Sequence, residues 1–226
     1  MEKQKYELFD TVLKRFHKAG ILDNFILIGS WCLYFYKNKV LGSSFTYALR
    51  TRDIDILVPT PSKLNKKVDI PDLLEDLGFI VEHSLSKGYI RLGHLDLILE
   101  FLVPEKGRGT DKPIVLPQLG INAQALRYLD FLVDHVIKVK VDDMTIKMPH
   151  PIAFALHKLL ILKKRKTDKA EKDIEQSLSL LDHYIWIKQT DEIVRIFKTM
   201  HRKWQKKVIE SLKSINRLDI IQILTK

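Results

Sequence analysis

The chain has 226 residues, of which 46% are hydrophobic, and this length allows one large domain or two small ones. It carries a formal net charge of +10 and contains no run of 18 or more apolar residues, so the sequence predicts no membrane span. Because Cys32 is the one cysteine and no apolar signal region follows Met1, we expect a cytoplasmic protein without an internal disulfide.

The positive charge is concentrated towards the end of the chain. Residues 1–150 contain 21 basic and 19 acidic side chains, whereas residues 151–226 contain 17 basic and 9 acidic ones. Such an asymmetry indicates a polyanionic partner, which would be nucleotide phosphates, RNA or both. Solvated, lysine-rich helix faces would explain part of the same surplus.

The first predicted elements surround a glycine–serine turn. Apolar residues at helical spacing predict a helix over residues 3–19, and the run Phe25–Ile28 predicts a buried strand. The strand stops at Gly29-Ser30, and an apolar segment over residues 31–36 then starts a helix. Free backbone N–H groups at such a helix start favour a phosphate, and the Ser30 hydroxyl can donate to it. An ordinary turn with an N-cap serine is the alternative.

A polar segment over residues 38–51 follows, and we expect it to form a loop near a bound nucleotide. Arg50 and Arg52 flank the acidic residues that come next. Either arginine would contact phosphate or neutralise the neighbouring carboxylates, and the sequence gives these two roles equal weight.

The run Asp53–Val58 predicts a strand that begins with acids at alternate positions. Residues i and i+2 of a strand point to the same face, so Asp53 and Asp55 project side by side. Two adjacent carboxylates need a cation, and Mg²⁺ is typically held by one or two carboxylates together with substrate phosphates. Two such ions can activate a hydroxyl and stabilise leaving phosphates. A strand edge whose acids face solvent is the alternative.

A helix over residues 69–77 and strands over residues 79–85 and 88–92 are predicted next, followed by the mostly apolar segment 94–104. If the segment 94–104 is one strand, Asp96 and Glu100 share a face.

The remaining sequence divides at Pro149-His150-Pro151. Before it, residues 113–128 predict a strand or loop followed by a short helix, and residues 136–148 predict a hairpin. We place a domain boundary at residue 150, which gives domains over 1–150 and 151–226. After it the pattern is helical to the end, with predicted helices over residues 152–161, 168–183, 190–200, 203–214 and 216–224. Lys158 interrupts the first of these apolar helices, and a lysine there is costly to bury unless it is paired or open to a ligand.

These motifs together resemble a known family. Gly29-Ser30 followed by Thr51-Arg52-Asp53-Ile54-Asp55 is similar to the nucleotidyltransferase fold of the DNA polymerase β superfamily. The segments 99–109 and 113–128, the His157-Lys158-Leu159 helix, Arg165 and Lys172-Asp173 extend the resemblance to a prokaryotic branch. That branch is related to the nucleotidyltransferase toxins of abortive-infection, type IV toxin–antitoxin systems.

The resemblance implies an α/β (α+β) fold, with a nucleotidyltransferase-type mixed β-sheet, flanking helices and a C-terminal helical domain that closes a nucleotide cleft. In this fold a third carboxylate, on a later strand, joins the two of the Asp-x-Asp pair. The resemblance favours Glu100 over Asp96 for that role, although the family carries aspartate at that place. The expected catalytic and metal-binding residues are Asp53, Asp55 and Glu100. The expected nucleotide-binding residues are Gly29, Ser30, Arg50, Lys158 and Lys172. Two Mg²⁺ ions, or Mn²⁺ in their place, are the implied cofactors, and a nucleoside triphosphate (NTP) such as ATP is the implied substrate.

We therefore predict a metal-dependent nucleotidyltransferase that moves a nucleoside monophosphate from an NTP to an acceptor hydroxyl and releases pyrophosphate. The positive C-terminal part favours RNA or tRNA as the acceptor, with a protein or a small molecule as alternatives. The resemblance adds a toxin role with an antitoxin as partner. A protein of another class remains the alternative: a catalytically silent scaffold that binds nucleotide or RNA, or a toxin–antitoxin partner protein.

Overall fold

The structure is a computed structural model that describes residues 2–42, 44–47, 51–83, 88–107, 109 and 112–226. The chain divides into two compact units. Unit 1 comprises Met1–Gly42 and Ala48–Pro149, and unit 2 comprises Ser43–Tyr47 and His150–Lys226. The roles that the sequence assigns to the two predicted domains stay predictions.

Unit 1 is built on a mixed β-sheet. Its strands are β1 (Ile26–Ile28), β2 (Asp53–Leu57), β3 (Ile80–His83), β4 (Ile90–Gly93), β5 (Ile98–Pro104), β6 (Ile114–Leu116) and β7 (Ile121–Leu126). They are ordered β1-β2-β5-β4-β3, while β7 pairs with the end of β5 and β6 pairs with β7. The pairs β2–β5 and β5–β7 are parallel, and the other pairs are antiparallel. The centre of the sheet is therefore the parallel pair β2–β5, whose apolar side chains are buried.

Helices cover this sheet. They are α1 (Glu2–Lys18), α2 (Cys32–Phe35), α3 (Ile70–Leu74) and α4 (Leu129–Asp134). One face of α1 is buried, and its Phe9 ring stacks on the Trp31 ring with the centroids 3.9 Å apart. Short 3-10 and π segments, Gly29–Trp31 and Tyr36–Val40, extend α2 at its two ends, so the backbone coils continuously from residue 29 to 40.

A separate hairpin completes unit 1. Its strands are β8 (Val136–Val141) and β9 (Met144–Pro149), which pair antiparallel around Asp142-Asp143 as predicted. Tyr36 donates a hydrogen bond from its hydroxyl to the Pro149 carbonyl at 2.7 Å, so the end of the hairpin is fixed to the segment after α2.

Unit 2 is helical. Its helices are α5 (Pro151–Ile161), α6 (Thr167–Trp186), α7 (Thr190–Thr199), α8 (Arg202–Ser214) and α9 (Leu218–Leu224). Residues 151–160 of α5 are all buried, because this nearly all-apolar helix packs against α6, α7 and α8. The Ser211 hydroxyl donates to the Leu159 carbonyl at 2.8 Å and so ties α8 to α5.

A short piece of chain from the middle of unit 1 also belongs to unit 2. The sequence predicts a loop near the nucleotide over residues 38–51, of which 43 and 48–50 lie outside the described residues. The structure packs Phe45 and Tyr47 of this segment with the helices. The Phe45 ring is buried edge-on against His183 at 5.6 Å, and the Gln176 side-chain amide donates to the Tyr47 hydroxyl at 3.1 Å.

The fold class predicted from the sequence is confirmed: a mixed sheet with flanking helices is followed by a C-terminal helical region. Two local predictions hold only in part. The segment 113–128 begins with β6 and a short 3-10 helix, Pro117–Leu119, but the strand β7 follows, which the sequence did not predict. In the segment 94–104, the strand begins only at Ile98. Within the described residues, none of the helices has the length and apolar character needed to cross a membrane.

Candidate functional site

Three carboxylates lie on one face of the central strand pair. In β2, Asp53 and Asp55 alternate with buried Ile54 and Ile56, so both acids point away from the core beneath the strand. In the parallel register, Asp55 is the direct partner of Glu100 on β5. Neighbouring strands are about 4.8 Å apart, so partner residues project side by side on one face. We call Asp53, Asp55 and Glu100 the acid face, and each of its side chains is half-buried.

The glycine of the predicted turn lies directly against the acid face. Ile28, the last residue of β1, is the register partner of Asp55, so the chain enters the turn beside that carboxylate. Gly29 has φ +71°, and a Cβ on it would lie 2.9 Å from Asp55 Cγ and closer still to Oδ2. Only glycine fits here without displacing Asp55, because both the backbone angle and the close approach exclude a side chain. Ser30, the next residue, is buried.

The acid face has the donor chemistry of a hard divalent cation, since carboxylate oxygens are the ligands that Mg²⁺ and Mn²⁺ accept most readily. Across the described ranges, however, no group of three or more His, Cys, Asp or Glu side chains is gathered so that it could hold a metal ion. The backbone register therefore brings the acids to one face, while their side chains do not form a ready set of ligands. Metal binding by these acids stays a prediction.

Asp96, the alternative third carboxylate, lies in the bend before β5 and not in the strand. Its backbone N–H donates to His94 Nδ1 at 3.0 Å, which makes it part of a local turn. The condition under which Asp96 and Glu100 would share a strand face, a single strand over residues 94–104, is therefore not met. Glu100 is the acid that the sheet places beside Asp55.

Arg52 joins the two strands of the acid face. Its guanidinium donates from Nη2 to the His94 carbonyl at 2.7 Å, and its own carbonyl accepts from the Ile98 backbone N–H at 2.9 Å. These bonds connect the residue before β2 to the start of β5. Arg50, the other predicted flanking arginine, lies outside the described residues.

Unit 2 contains a charged cluster built around a buried ion pair. Lys158 on α5 and Asp173 on α6 form an ion pair, with side chains only 9% and 5% exposed. Asp173 accepts a second bond on Oδ2 from Arg165 Nε at 2.8 Å. We call Lys158, Arg165 and Asp173 the ion cluster. Lys172, which we expect to bind nucleotide, is half-buried next to Asp173 on α6. Nucleotide binding by Lys158 and Lys172 stays a prediction.

His157 is buried beside the ion cluster. Burial lowers its pKa to about 3, and the nearby positive charges of Lys158 and Arg165 act in the same direction. Its Nε2 is buried without a hydrogen-bond partner among the described residues. The folded protein therefore holds this imidazole neutral.

We expect His157 to make stability depend on pH. Its folded pKa lies below the unfolded value of about 6.5, so the unfolded chain takes up the proton first and stability is lost as pH falls from there towards the folded pKa. Between pH 7 and pH 5 the wild type should lose about 2 kcal/mol more free energy of unfolding than His157→Leu does. Urea denaturation at both pH values measures this. His183, whose pKa is also lowered by burial, is present in both proteins and cancels. Equal losses would contradict the assignment.

The sequence did not indicate that Asp173 accepts from both Lys158 and Arg165. The available signal was a lysine inside an apolar helix, which requires a buried partner, followed by a carboxylate on the next helix. Sequence spacing alone does not show which of several acids on α6 turns inward.

A sequence model of a protein family described as nucleotidyltransferase matches residues 8–184 of the chain. A search of curated proteins found no significant match. Among solved structures, an antigenic nucleotidyltransferase-like protein from Paracoccidioides brasiliensis aligns with a TM-score of 0.49 and 12% identity, covering 97% of this chain and 92% of that one. The lincomycin-bound lincosamide antibiotic adenylyltransferase LnuA gives 0.43 and 18%, with 77% and 96% covered. The Megavirus polyadenylate synthase gives 0.45 and 14%, with 81% and 33% covered.

Proposed function

This chain belongs to the nucleotidyltransferase family, and from that premise we propose that its acid face is the centre at which a nucleotide is transferred. The reaction moves a nucleoside monophosphate from an NTP to the hydroxyl of an acceptor. The observation that carries the proposal is the pairing of Asp55 with Glu100 in register, with Gly29 packed directly against Asp55.

Asp53, Asp55 and Glu100 are the residues that would hold Mg²⁺ or Mn²⁺, because they are the carboxylates that share this face. When bound, one or two such ions supply positive charge that polarises the phosphates and lowers the pKa of the attacking hydroxyl. The chain's own part is to hold the backbone of these three residues on one face of rigid strands, since β2 and β5 lie at the centre of the sheet.

The turn at Gly29-Ser30 would position the phosphates. With no Cβ on Gly29, a phosphate oxygen can approach the backbone N–H groups at the start of the coil over residues 29–40, and the Ser30 hydroxyl can turn towards it. In the transfer step the acceptor oxygen bonds to the α-phosphorus, and the bond from that phosphorus to the bridging oxygen of the β-phosphate breaks. The hydroxyl proton passes to a carboxylate oxygen of the acid face, and pyrophosphate leaves.

For the acceptor, we propose RNA, with tRNA as the first candidate. Support comes from the charge of residues 151–226, which contain 17 basic and only 9 acidic side chains. Positive charge of this density attracts a phosphate backbone. The motif resemblance adds the proposal that the transfer is toxic and is countered by an antitoxin. Protein and small-molecule hydroxyls are the competing acceptors.

Label transfer tests this function. Purified protein is incubated with Mg²⁺, each α-³²P-labelled NTP in turn, and total RNA, a protein extract or a mixture of small hydroxyl compounds. We expect label to appear on RNA and to disappear when EDTA removes the metal. Label on protein or on a small molecule would contradict RNA as the acceptor but support the transfer reaction. No transfer to any acceptor would contradict the proposal. RNA affinity should also fall steeply with salt.

A further inference from the structure

The acid face continues into a row of charges that crosses the sheet. In register, Glu100 on β5 lies between Asp55 on β2 and Arg91 on β4. Arg91 lies in turn between Glu100 and Glu82 on β3. The side chains of such register partners project from the same face of a sheet. We call Asp55, Glu100, Arg91 and Glu82 the charged row, and Arg91 is the cation in it.

Glu82 holds Arg91 in place. The Arg91 guanidinium donates from Nε to Glu82 Oε2 at 2.7 Å. The Glu82 carboxyl lies across Gly93, where an added Cβ would be only 2.6 Å from Glu82 Cδ, so the glycine leaves the space that this carboxyl occupies. Because a guanidinium is rigid and planar, a carboxylate bonded to Nε also sets the direction of its two terminal NH₂ groups.

The outer edge of Arg91 is available to a ligand. Its side chain is 43% exposed, and no described residue accepts a hydrogen bond from its terminal NH₂ groups. Ile80 precedes Glu82 by two residues on the edge strand β3, shares its face and is 63% exposed, so solvent reaches this end of the face. A planar fork held in this way matches two oxygens of a phosphate.

The position of Arg91 indicates which substrate it meets. Gly29 follows β1 and lies on one side of Asp55, whereas Arg91 lies beyond Glu100 on the other side. In an in-line displacement, the attacking and leaving oxygens are on opposite sides of the phosphorus. The proposed function places the NTP phosphates at Gly29, so the acceptor enters from the side of Arg91.

We infer that Arg91 is a specificity-determining residue that binds a phosphate of an RNA acceptor, and that Glu82 is its positioning residue. This inference rests on the proposed function, because the direction of the transfer step places the acceptor on this side. An RNA strand carries one phosphate per nucleotide, so an accepting ribose hydroxyl always has a phosphate nearby. A cationic acceptor would be repelled by the same guanidinium.

Fluorescence anisotropy of labelled bulk tRNA with the full chain tests the contact. EDTA is present, so that binding does not require metal at the acid face. Arg91→Ala should weaken the affinity about tenfold, since hydrogen bonds to a charged group are the strong class. It should also reduce by about one the slope of the logarithm of the affinity against the logarithm of the salt concentration. Arg91→Lys should keep this slope and bind less tightly than the wild type, because lysine keeps the charge but lacks the fork.

Arg127→Ala is the matched control. Arg127 also belongs to unit 1, donates from Nε to Glu105 at 2.9 Å and has a side chain that is 54% exposed. It follows β7, however, which pairs with residues 102–104 of β5 and not with Glu100. Its affinity for tRNA should stay within about threefold of the wild type, as for an exposed charge outside the site. An unchanged affinity in Arg91→Ala, an equal loss in Arg127→Ala, or no tRNA binding by the wild type would overturn the inference.

Steady-state label transfer to tRNA gives a second readout. We expect Arg91→Ala to raise the KM for tRNA about tenfold and to leave the KM for NTP within about threefold, because its guanidinium contacts the acceptor and not the NTP. Glu82→Gln should raise the KM for tRNA by a smaller factor, since the guanidinium is still present but is held by a neutral partner. Thermal unfolding of each variant checks that it is folded.

The outcomes separate this inference from the proposed function. If nothing is labelled while the tRNA affinity depends on Arg91, the RNA contact stands and the transfer function falls. If tRNA is labelled and Arg91→Ala leaves the KM for tRNA unchanged, the transfer function stands and the inference falls. Label on protein or a small molecule alone would likewise keep the transfer reaction and overturn the inference.

Discussion

Asp55→Asn should lower nucleotide transfer at least roughly 10²-fold, the size of effect seen when one preorganised charge-stabilising group is removed from an active site. Asp55 lies where three strands meet: it is the register partner of Ile28 on β1 and of Glu100 on β5. Asparagine keeps the shape of the side chain but removes the charge that would hold a cation. The rate of label transfer from an α-³²P-labelled NTP is the measurement, with thermal unfolding as the test of folding.

Asp96→Asn is the control for this variant. Asp96 is also acidic and half-buried, but it lies in the bend before β5 rather than on the acid face. We expect its transfer rate to stay within about threefold of the wild type, as for a surface charge outside the site. A large loss in Asp96→Asn together with full activity in Asp55→Asn would show that the site depends on Asp96 and not on Asp55.

Gly29→Ala should cost both activity and stability. The residue has φ +71°, and its new Cβ would collide with the Asp55 carboxylate. A left-handed backbone angle costs a residue with a Cβ roughly 1–2 kcal/mol, and the collision adds to this by displacing Asp55. A displacement of about 1 Å can lower a rate roughly 10²-fold, so we expect a loss of that size in label transfer.

Gly42→Ala is a matched control for the collision. Gly42 has φ +75°, close to that of Gly29, but a Cβ on it would meet no atom of the described residues within 4 Å. It should therefore lose the same roughly 1–2 kcal/mol of unfolding free energy to backbone strain and keep its activity. Equal activity in the two variants would show that close packing of Gly29 on Asp55 does not matter for transfer. Urea denaturation and the transfer assay provide the two measurements.

Short-range patterns in the sequence were sufficient for β2 and for the turn that precedes it. The alternation of Asp53 and Asp55 with Ile54 and Ile56 predicts a half-buried strand, and the structure has β2 there. The glycine–serine step predicts a turn after β1, and the positive φ of Gly29 is the physical reason for glycine at that place. The hairpin β8–β9 follows from the same kind of local alternation.

Long-range pairing was the part that local patterns could not predict. Strand β7 adds to the end of β5 in parallel, and only the folded sheet shows which distant strand completes that edge. The packing of Phe45 and Tyr47 in unit 2 is also long-range. Their contacts are with His183 and Gln176, more than a hundred residues later in the chain. Periodicity carries no information on such contacts.

The start of β5 shows a different limit. The apolar run that forms β5 gives no sign of where the strand begins. The His94 side chain accepts from the Asp96 backbone N–H and closes a turn just before it. A side-chain bond of this local kind competes with the strand ladder, and hydropathy patterns do not register it. This turn removes Asp96 from the strand face and leaves Glu100 as the acid opposite Asp55.

The most direct test of the account is a crystal structure of the protein with Mn²⁺ and a non-hydrolysable NTP analogue, with manganese located by its anomalous scattering. The account predicts a manganese peak in contact with carboxylate oxygens of Asp53, Asp55 and Glu100, with the phosphates of the analogue beside Gly29. Manganese bound elsewhere, or an analogue bound while these three carboxylates remain apart and without metal, would contradict it.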